Sequence, residues 1–320
     1  MTTTKTTAEV TAGKVALGAR WGMLRPIVAA ALTTVIFALI LSRVPFAALT
    51  AALEEADYPT FLALMIPNTL FYFAWDTLVL TVVIRWFHGP VAYRDLLPVR
   101  ASSYVVGFFN TNLGRGALAA YLCRRLRAPF LELGSTVIFL VLTEYTQLVL
   151  WSMLGLIGFH AEVSRSLLLV AAAVALFWIV VRVALAPRSW SILRTFRLAT
   201  FAQYVQIVLL RAPMFLVSLC FHYYAAQAFG IQIPFVQMLT FLPVIFMLAA
   251  LPVTVAHLGT TQAAWIFFFG QYASAPRLLA FSLAAHLVFA ATRALFGVLW
   301  LPSAYFDLVP SEPRDRLSAW

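Results

Sequence analysis

Charge is what this sequence has least of. Only 11% of its 320 residues are Asp, Glu, Lys or Arg, against roughly a quarter in an ordinary globular chain. So few ionic side chains cannot clothe a soluble surface. Acids are the scarcer kind, 12 against 22 Lys and Arg. Cysteine is nearly missing: Cys123 and Cys220 are the two. They sit in apolar or basic surroundings without paired spacing, which excludes a disulfide framework and a thiolate metal centre. No Asp-rich cluster, paired His/Asp acyltransferase spacing or Cys/His constellation occurs, so no catalytic residue, metal ligand or cofactor is assigned.

What fills the chain instead is apolar. Hydrophobic residues make up 63% of it, with mean hydropathy +0.91. A bilayer core about 30 Å thick needs about 20 apolar residues per spanning helix, so this length allows about six to eight passes. The expected fold is all-α, a polytopic integral membrane protein. A net charge of +10 and a pI of about 10.1 would suggest nucleic acid in a soluble protein; here they match the excess of Lys and Arg on cytoplasmic loops. No nucleic acid partner is expected.

Residues 1–20 are Thr-rich, polar and basic, and read as a cytoplasmic tail. Six full spans are expected at Leu24–Ser42, Thr60–Trp86, Phe130–Phe159, Leu167–Leu185, Thr200–Phe229 and Arg277–Leu301. They belong to one transmembrane domain over residues 21–303, followed by a cytoplasmic tail, 304–320. Two further segments are interrupted. Ser102–Leu122 is broken by Asn110, Asn112, Gly114, Arg115 and Gly116, and Met238–Tyr272 around Pro252, Thr254, His257, Leu258 and Gly259. Each contains a half-helix, a polar kink with Leu-Gly, a second half-helix, and an Ala-Pro that opens a long helix. Short, Gly/Pro-interrupted segments at matching places point to a transporter binding site. Both are expected to be re-entrant helical hairpins.

Charge fixes the expected topology. With a cytoplasmic N-terminus, that side receives Arg85, Arg94, Arg100, Arg115, Arg124, Arg125, Arg127, Arg182, Arg188, Arg194, Arg197, Arg314 and Arg316. The outside receives Arg43, Arg165 and Arg277 beside Glu54, Glu55, Asp57 and Glu162. This steep asymmetry requires both broken segments to return to the side they enter from. Three full spans separate them, so they open to opposite faces and form an inverted repeat. A cell (inner or plasma) membrane location, with both termini cytoplasmic, follows.

Four charges fall within the spans: Asp76, Glu144, Arg211 and Arg293. Each costs about 2.5–3.5 kcal/mol near the bilayer centre even on lenient scales, so each needs a partner or a wet cavity. Two acids and two bases suggest mutual pairing. Asn68, Tyr72 and Asp76 share a face, as do Gln203, Arg211, Ser218 and His222, and Ser282, His286 and Arg293; Gln147 lies one turn from Glu144. A shared polar interior accounts for all four faces. Arg293 is also near enough to the cytoplasmic end to snorkel. Pro213 beside Arg211 frees a backbone carbonyl. His222 and His286 read as core residues, whereas His257 sits at a kink suited to an anionic headgroup. Arg115 lies in the first kink and is assigned to phosphate; Arg124, Arg125 and Arg127 read as an anchor to anionic lipid.

At the two kinks the sequence resembles the flippase-like transmembrane domain of lysylphosphatidylglycerol synthases and its stand-alone membrane relatives, over about Arg25 to Pro302. In the first signature Asn110, Leu113 and Gly116 match, with Ala117 at the Glu position and Ala119 or Ala120 at the Arg position. In the second, Pro252, Thr254 and Gly259 match, while His257, Thr261 and Gln262 replace Gly, Arg and Glu. Glu144 fits an acidic position of the family, with Tyr145 where an Arg is usual. The resemblance implies a membrane protein that translocates or binds lipids, including isoprenoid-type molecules. The synthase catalytic domain has no counterpart here, so aminoacyl transfer is not expected.

The expected function is therefore a lipid flippase or transporter moving an amphiphilic, anionic or isoprenoid-type lipid between leaflets by alternating access. Expected substrate-binding residues are Asp76, Asn110, Asn112, Arg115, Glu144, Arg211, Thr254, His257, Gln262 and Arg293. The alternative is a non-catalytic membrane partner or scaffold for a lipid- or glycan-modifying enzyme. An integral-membrane enzyme finds no reaction centre in the sequence.

Overall fold

The computed structural model describes residues 30–109, 111–157, 164–185, 189–249 and 258–308. Among these residues it is all-helical. A first helix, α1 (Ala30–Arg43), turns by 87° into α2 (Phe46–Glu54). The corner is Pro45, which lacks an N–H and holds the preceding residue away from helical geometry. There follow α3 (Tyr58–Phe87), α4 (Tyr93–Phe109), α5 (Thr111–Leu126), α6 (Phe130–Ile157), α7 (Ser164–Ile179), the short α8 (Arg194–Leu198), α9 (Phe201–Gln227), α10 (Phe235–Ala249), α11 (Thr260–Phe269) and α12 (Ala275–Leu308).

Among the described residues, four helices are long and apolar enough to cross a membrane: α3, α6, α9 and α12 up to Trp300; the bent α1–α2 pair makes a fifth if it counts as one span. They match four of the six expected spans. The first expected span, Leu24–Ser42, starts before the described residues and ends within α1, just ahead of the Pro45 corner. The fourth is α7, only 16 residues long before it passes into a π-helical turn, Val180–Leu185. The outward faces are apolar, as in Leu39, Ile66, Leu154, Leu209 and Leu299, all exposed. An apolar exterior of this extent needs lipid or protein against it. The helix α12 runs through residue 303, so the expected domain boundary there lies inside a helix.

Caps account for the starts. Asp57 accepts from the Thr60 N–H at 3.2 Å before α3, and Thr200 and Gln203 form a capping box before α9. Inside the helices, Thr69, Thr77, Thr81 and Thr143 donate back to carbonyls one turn earlier. That bond lets a hydroxyl sit in an apolar interior without an unmet partner.

The two broken segments differ from expectation in detail. The first is a pair of packed helices, α4 ending at Phe109 and α5 beginning at Thr111, so the polar run Thr111–Gly116 is helical, not a kink. The helix α4 begins at Tyr93, well before Ser102. With 17 and 16 residues at 1.5 Å each, α4 and α5 are each about 25 Å long, more than half the bilayer core. In the second segment α10 and α11 flank residues 250–257, which lie outside the described part.

Contacts between helices occur in matched sets. The helices α3 and α9 pack on each other. The helix α3 touches α4 as α9 touches α10; α4 pairs with α5 as α10 with α11; α5 leads onto α6 as α11 onto α12. Above all, α4 packs on α12 and α10 on α6, so the first helix of each pair lies against the long helix that follows the other pair. Glycine permits both approaches. A Cβ on Gly297 of α12 would meet the Ala101 carbonyl at 2.9 Å, and one on Gly155 of α6 would meet the Thr240 backbone at 2.7 Å.

Both ends of the bundle are tied. At one, the Asp57 N–H donates to the Ala228 carbonyl at 2.9 Å, Phe61 packs on Phe229 and Phe281, and Arg277 pairs with Glu55 at 3.1 Å. At the other, Arg194 pairs with Glu132 and donates to the Phe87 carbonyl, while Arg85 donates to the Val91 carbonyl. Arg125 of α5 pairs with Asp95 of α4 at 3.2 Å, so the outer ends of this helix pair meet where α3 finishes. Phe268, ending α11, stacks on Phe241 of α10 at 4.8 Å, and Tyr223 near the end of α9 meets Phe235 at the start of α10.

Candidate functional site

A cavity of about 320 Å³ lies between the two helix pairs. Long helices α3, α6, α9 and α12 supply most of its wall, with α4, α5, α10 and α11 contributing where the pairs approach. Its character changes along the bundle. Toward the end of α3 it is charged, with Asp76, Arg100, Arg115 and Arg293. Toward the start of α3 it is neutral, with Ser218, His222, Trp265 and Ser282.

Five expected site residues come together here: Asp76, Arg115, Glu144, Arg211 and Arg293 all line the cavity. Gln262 does not. It is buried, and its Oε1 accepts the Gly259 N–H at 2.7 Å, so it caps α11. Its amide nitrogen has no partner among the described residues. Asn112 is helical, with its side chain outside the described part; Asn110, Thr254 and His257 lie outside it altogether.

The ionic pairing is not the expected foursome. Glu144 does pair with Arg211, loosely, at 3.7 Å, and also accepts from the Tyr72 hydroxyl at 3.3 Å. Asp76, however, pairs with Arg100 and accepts from the Tyr104 hydroxyl at 3.2 Å. Arg100 was expected at the cytoplasmic surface; α4 begins earlier than expected and carries it inward. Arg293 does not snorkel. Its guanidinium lies 3.6 Å from the Tyr104 ring centre and 4.9 Å from that of Phe289, a cation–π contact that strengthens away from water.

The resulting charge balance is unequal. Four arginines line the cavity against two carboxylates. Arg211 is only 2% exposed, yet its Nε and Nη1 find no hydrogen-bond acceptor among the described residues; the Nε of Arg293 is likewise buried and unbonded. Unmade hydrogen bonds of a buried charged group cost several kcal/mol. Such donors favour an anionic guest.

Other polar groups at the cavity are satisfied only in part: Gln147 on its wall and Asn68 behind it each keep a buried amide nitrogen without a partner among the described residues. Ser218 donates to the Asn68 side-chain oxygen at 3.1 Å, and the His222 Nδ1 lies 2.7 Å from the Ser218 carbonyl. The Trp75 indole donates to the Leu210 carbonyl at 2.6 Å, next to the acceptor that Pro213 leaves without its helical donor.

Sequence reasoning missed Arg100, Ser103 and Tyr104. With Gly107 they fall at a spacing of three, four and seven residues along α4, which is one helical face. The signal is legible once α4 is begun at Tyr93.

Among the described residues, fold and site together define an all-helical architecture with four or five helices able to span a membrane, around an internal cavity rich in arginine. No family model matches the chain, and no curated protein matches it.

Proposed function

We propose that this protein is a membrane lipid transporter, moving an anionic amphiphile between leaflets through the charged cavity. The observation that carries the proposal is the set of four arginines facing two carboxylates within a bundle whose outer surface is apolar. An anionic headgroup supplies the acceptors those guanidinium groups lack, while its chains remain in the lipid outside the bundle.

Alternating access is supported by the matched contacts of α3–α6 and α9–α12. On this reading α4–α5 and α10–α11 are re-entrant hairpins in an inverted repeat. The first opens where α3 ends, at Asp95 and Arg125, and the second where α9 ends, near Tyr223 and Phe235. Helices α3 and α9 run in opposite directions, because the start of one is bonded to the end of the other. Rocking of one four-helix unit on the other would expose the cavity to each face in turn. The pair Glu144–Arg211 joins the two units at the cavity, and its loose geometry suits a contact that must open.

The test is reconstitution of the purified chain into liposomes carrying a fluorescent anionic lipid in one leaflet. Exchange between leaflets accelerates for the anionic lipid and not for a choline lipid of the same chains. A folded protein that accelerates neither would favour the scaffold alternative.

A further inference from the structure

We infer that the headgroup accommodated in this cavity is a doubly charged phosphate, a terminal monoester, in preference to a singly charged phosphodiester. The inference rests on the transporter reading above and specifies its ligand.

The reasoning begins from the ion pairs already made. Asp76 is matched by Arg100 and the Tyr104 hydroxyl. Glu144 faces Arg211 at 3.7 Å, too far for a hydrogen bond. Arg293 has an aromatic ring under it where a carboxylate would be needed to neutralise it. Arg115 has no carboxylate within ion-pair distance among the described residues. Two guanidinium charges in the cavity therefore stand without a counter-charge, and Arg211 adds buried N–H donors with no acceptor.

A phosphodiester brings one negative charge and two free oxygens. A monoester brings close to two charges and three strong acceptor oxygens. Arginine forks bind such oxygens in parallel pairs, giving strength and orientation. Only the doubly charged group neutralises the surplus and leaves an oxygen for each of Arg115, Arg211 and Arg293.

The experiment measures binding of the purified full-length chain in neutral detergent, at alkaline pH, to dioleoyl phosphatidic acid and to dioleoyl phosphatidylglycerol. Phosphatidic acid binds about tenfold more tightly or better, since it adds a further charge-assisted hydrogen bond. In R293Q, and separately in R115Q, the two lipids bind alike. Because Arg293 is stacked into the fold and Arg115 is only half-buried, R115Q remains informative if R293Q does not fold.

Equal binding of both lipids by the unaltered protein, each tighter than a choline lipid, overturns the inference and leaves the anionic-lipid reading in place. Binding of neither overturns both. Inorganic phosphate binding as tightly as phosphatidic acid would make this a free-anion site and overturn the assignment to a lipid headgroup.

Discussion

Asp76 carries the strongest obligations of any single side chain here. It is 6% exposed and holds both Arg100 and Tyr104. Asp76→Asn strands the guanidinium of Arg100, which breaks a buried pair and costs about 3 kcal/mol or more. Removing both charges, in D76N/R100Q, costs less than the sum of the two single changes; thermal denaturation of the four proteins measures that coupling. His88, just past the end of α3, supplies a second residue-level expectation. Its Nε2 lies 2.7 Å from the Thr136 hydroxyl, and burial, aided by the charge of Arg194, lowers its pKa. The folded chain thus binds this proton less readily than the unfolded chain does. His88 contributes fully to stability above its ordinary value of about 6.5 and loses that contribution as pH falls through it. Melting temperature drops more between about pH 7 and pH 5 in the native chain than in H88N. At this scale the sequence reveals the in-span charges, because an ionic group in an apolar run is conspicuous. It hides Arg100, whose helix begins in a polar stretch and whose partner is 24 positions away.

Elements are set by where backbones can touch. Gly107 and Gly114 bring α4 and α5 together: a Cβ on Gly114 would sit 2.7 Å from the Gly107 Cα and 2.9 Å from the Ser103 carbonyl. Gly114→Val therefore forces the pair apart, costs about 1–3 kcal/mol by overpacking, and abolishes lipid exchange. Gly116, two residues on, has nothing within 4 Å of such a Cβ. Gly116→Ala is tolerated and gains up to about 1 kcal/mol from helix propensity; melting curves and the exchange assay compare the two. From the sequence both glycines read as one polar kink, because Gly within Asn-Thr-Asn-Leu-Gly-Arg-Gly is a breaker by composition. The structure uses one of them for close approach inside a helix. The long helices were legible, being unbroken apolar runs with caps. The Pro45 corner and the π-helical turn after α7 were not, since neither interrupts the hydropathy.

For the molecule as a whole, the central claim is that two helix pairs enter a bundle from opposite faces and meet at one charged cavity. The matched packing of α3–α6 and α9–α12 could not be read from local pattern, because α4 on α12 and α10 on α6 are contacts between distant parts of the chain. What the sequence did carry was the asymmetry of basic residues, and the bond of Arg85 to the Val91 carbonyl and the pair Arg125–Asp95 gather several of them at one end. The most direct measurement is labelling from either face in sealed vesicles, using single cysteines in a chain lacking Cys123 and Cys220. Positions 92 and 128 flank α4–α5; positions 234 and 272 flank α10–α11. The account predicts that 92 and 128 react from one face, and 234 and 272 from the other. If all four react from one face, or if 92 and 128 react from opposite faces because the α4–α5 segment passes through the bilayer once, the opposed arrangement is wrong.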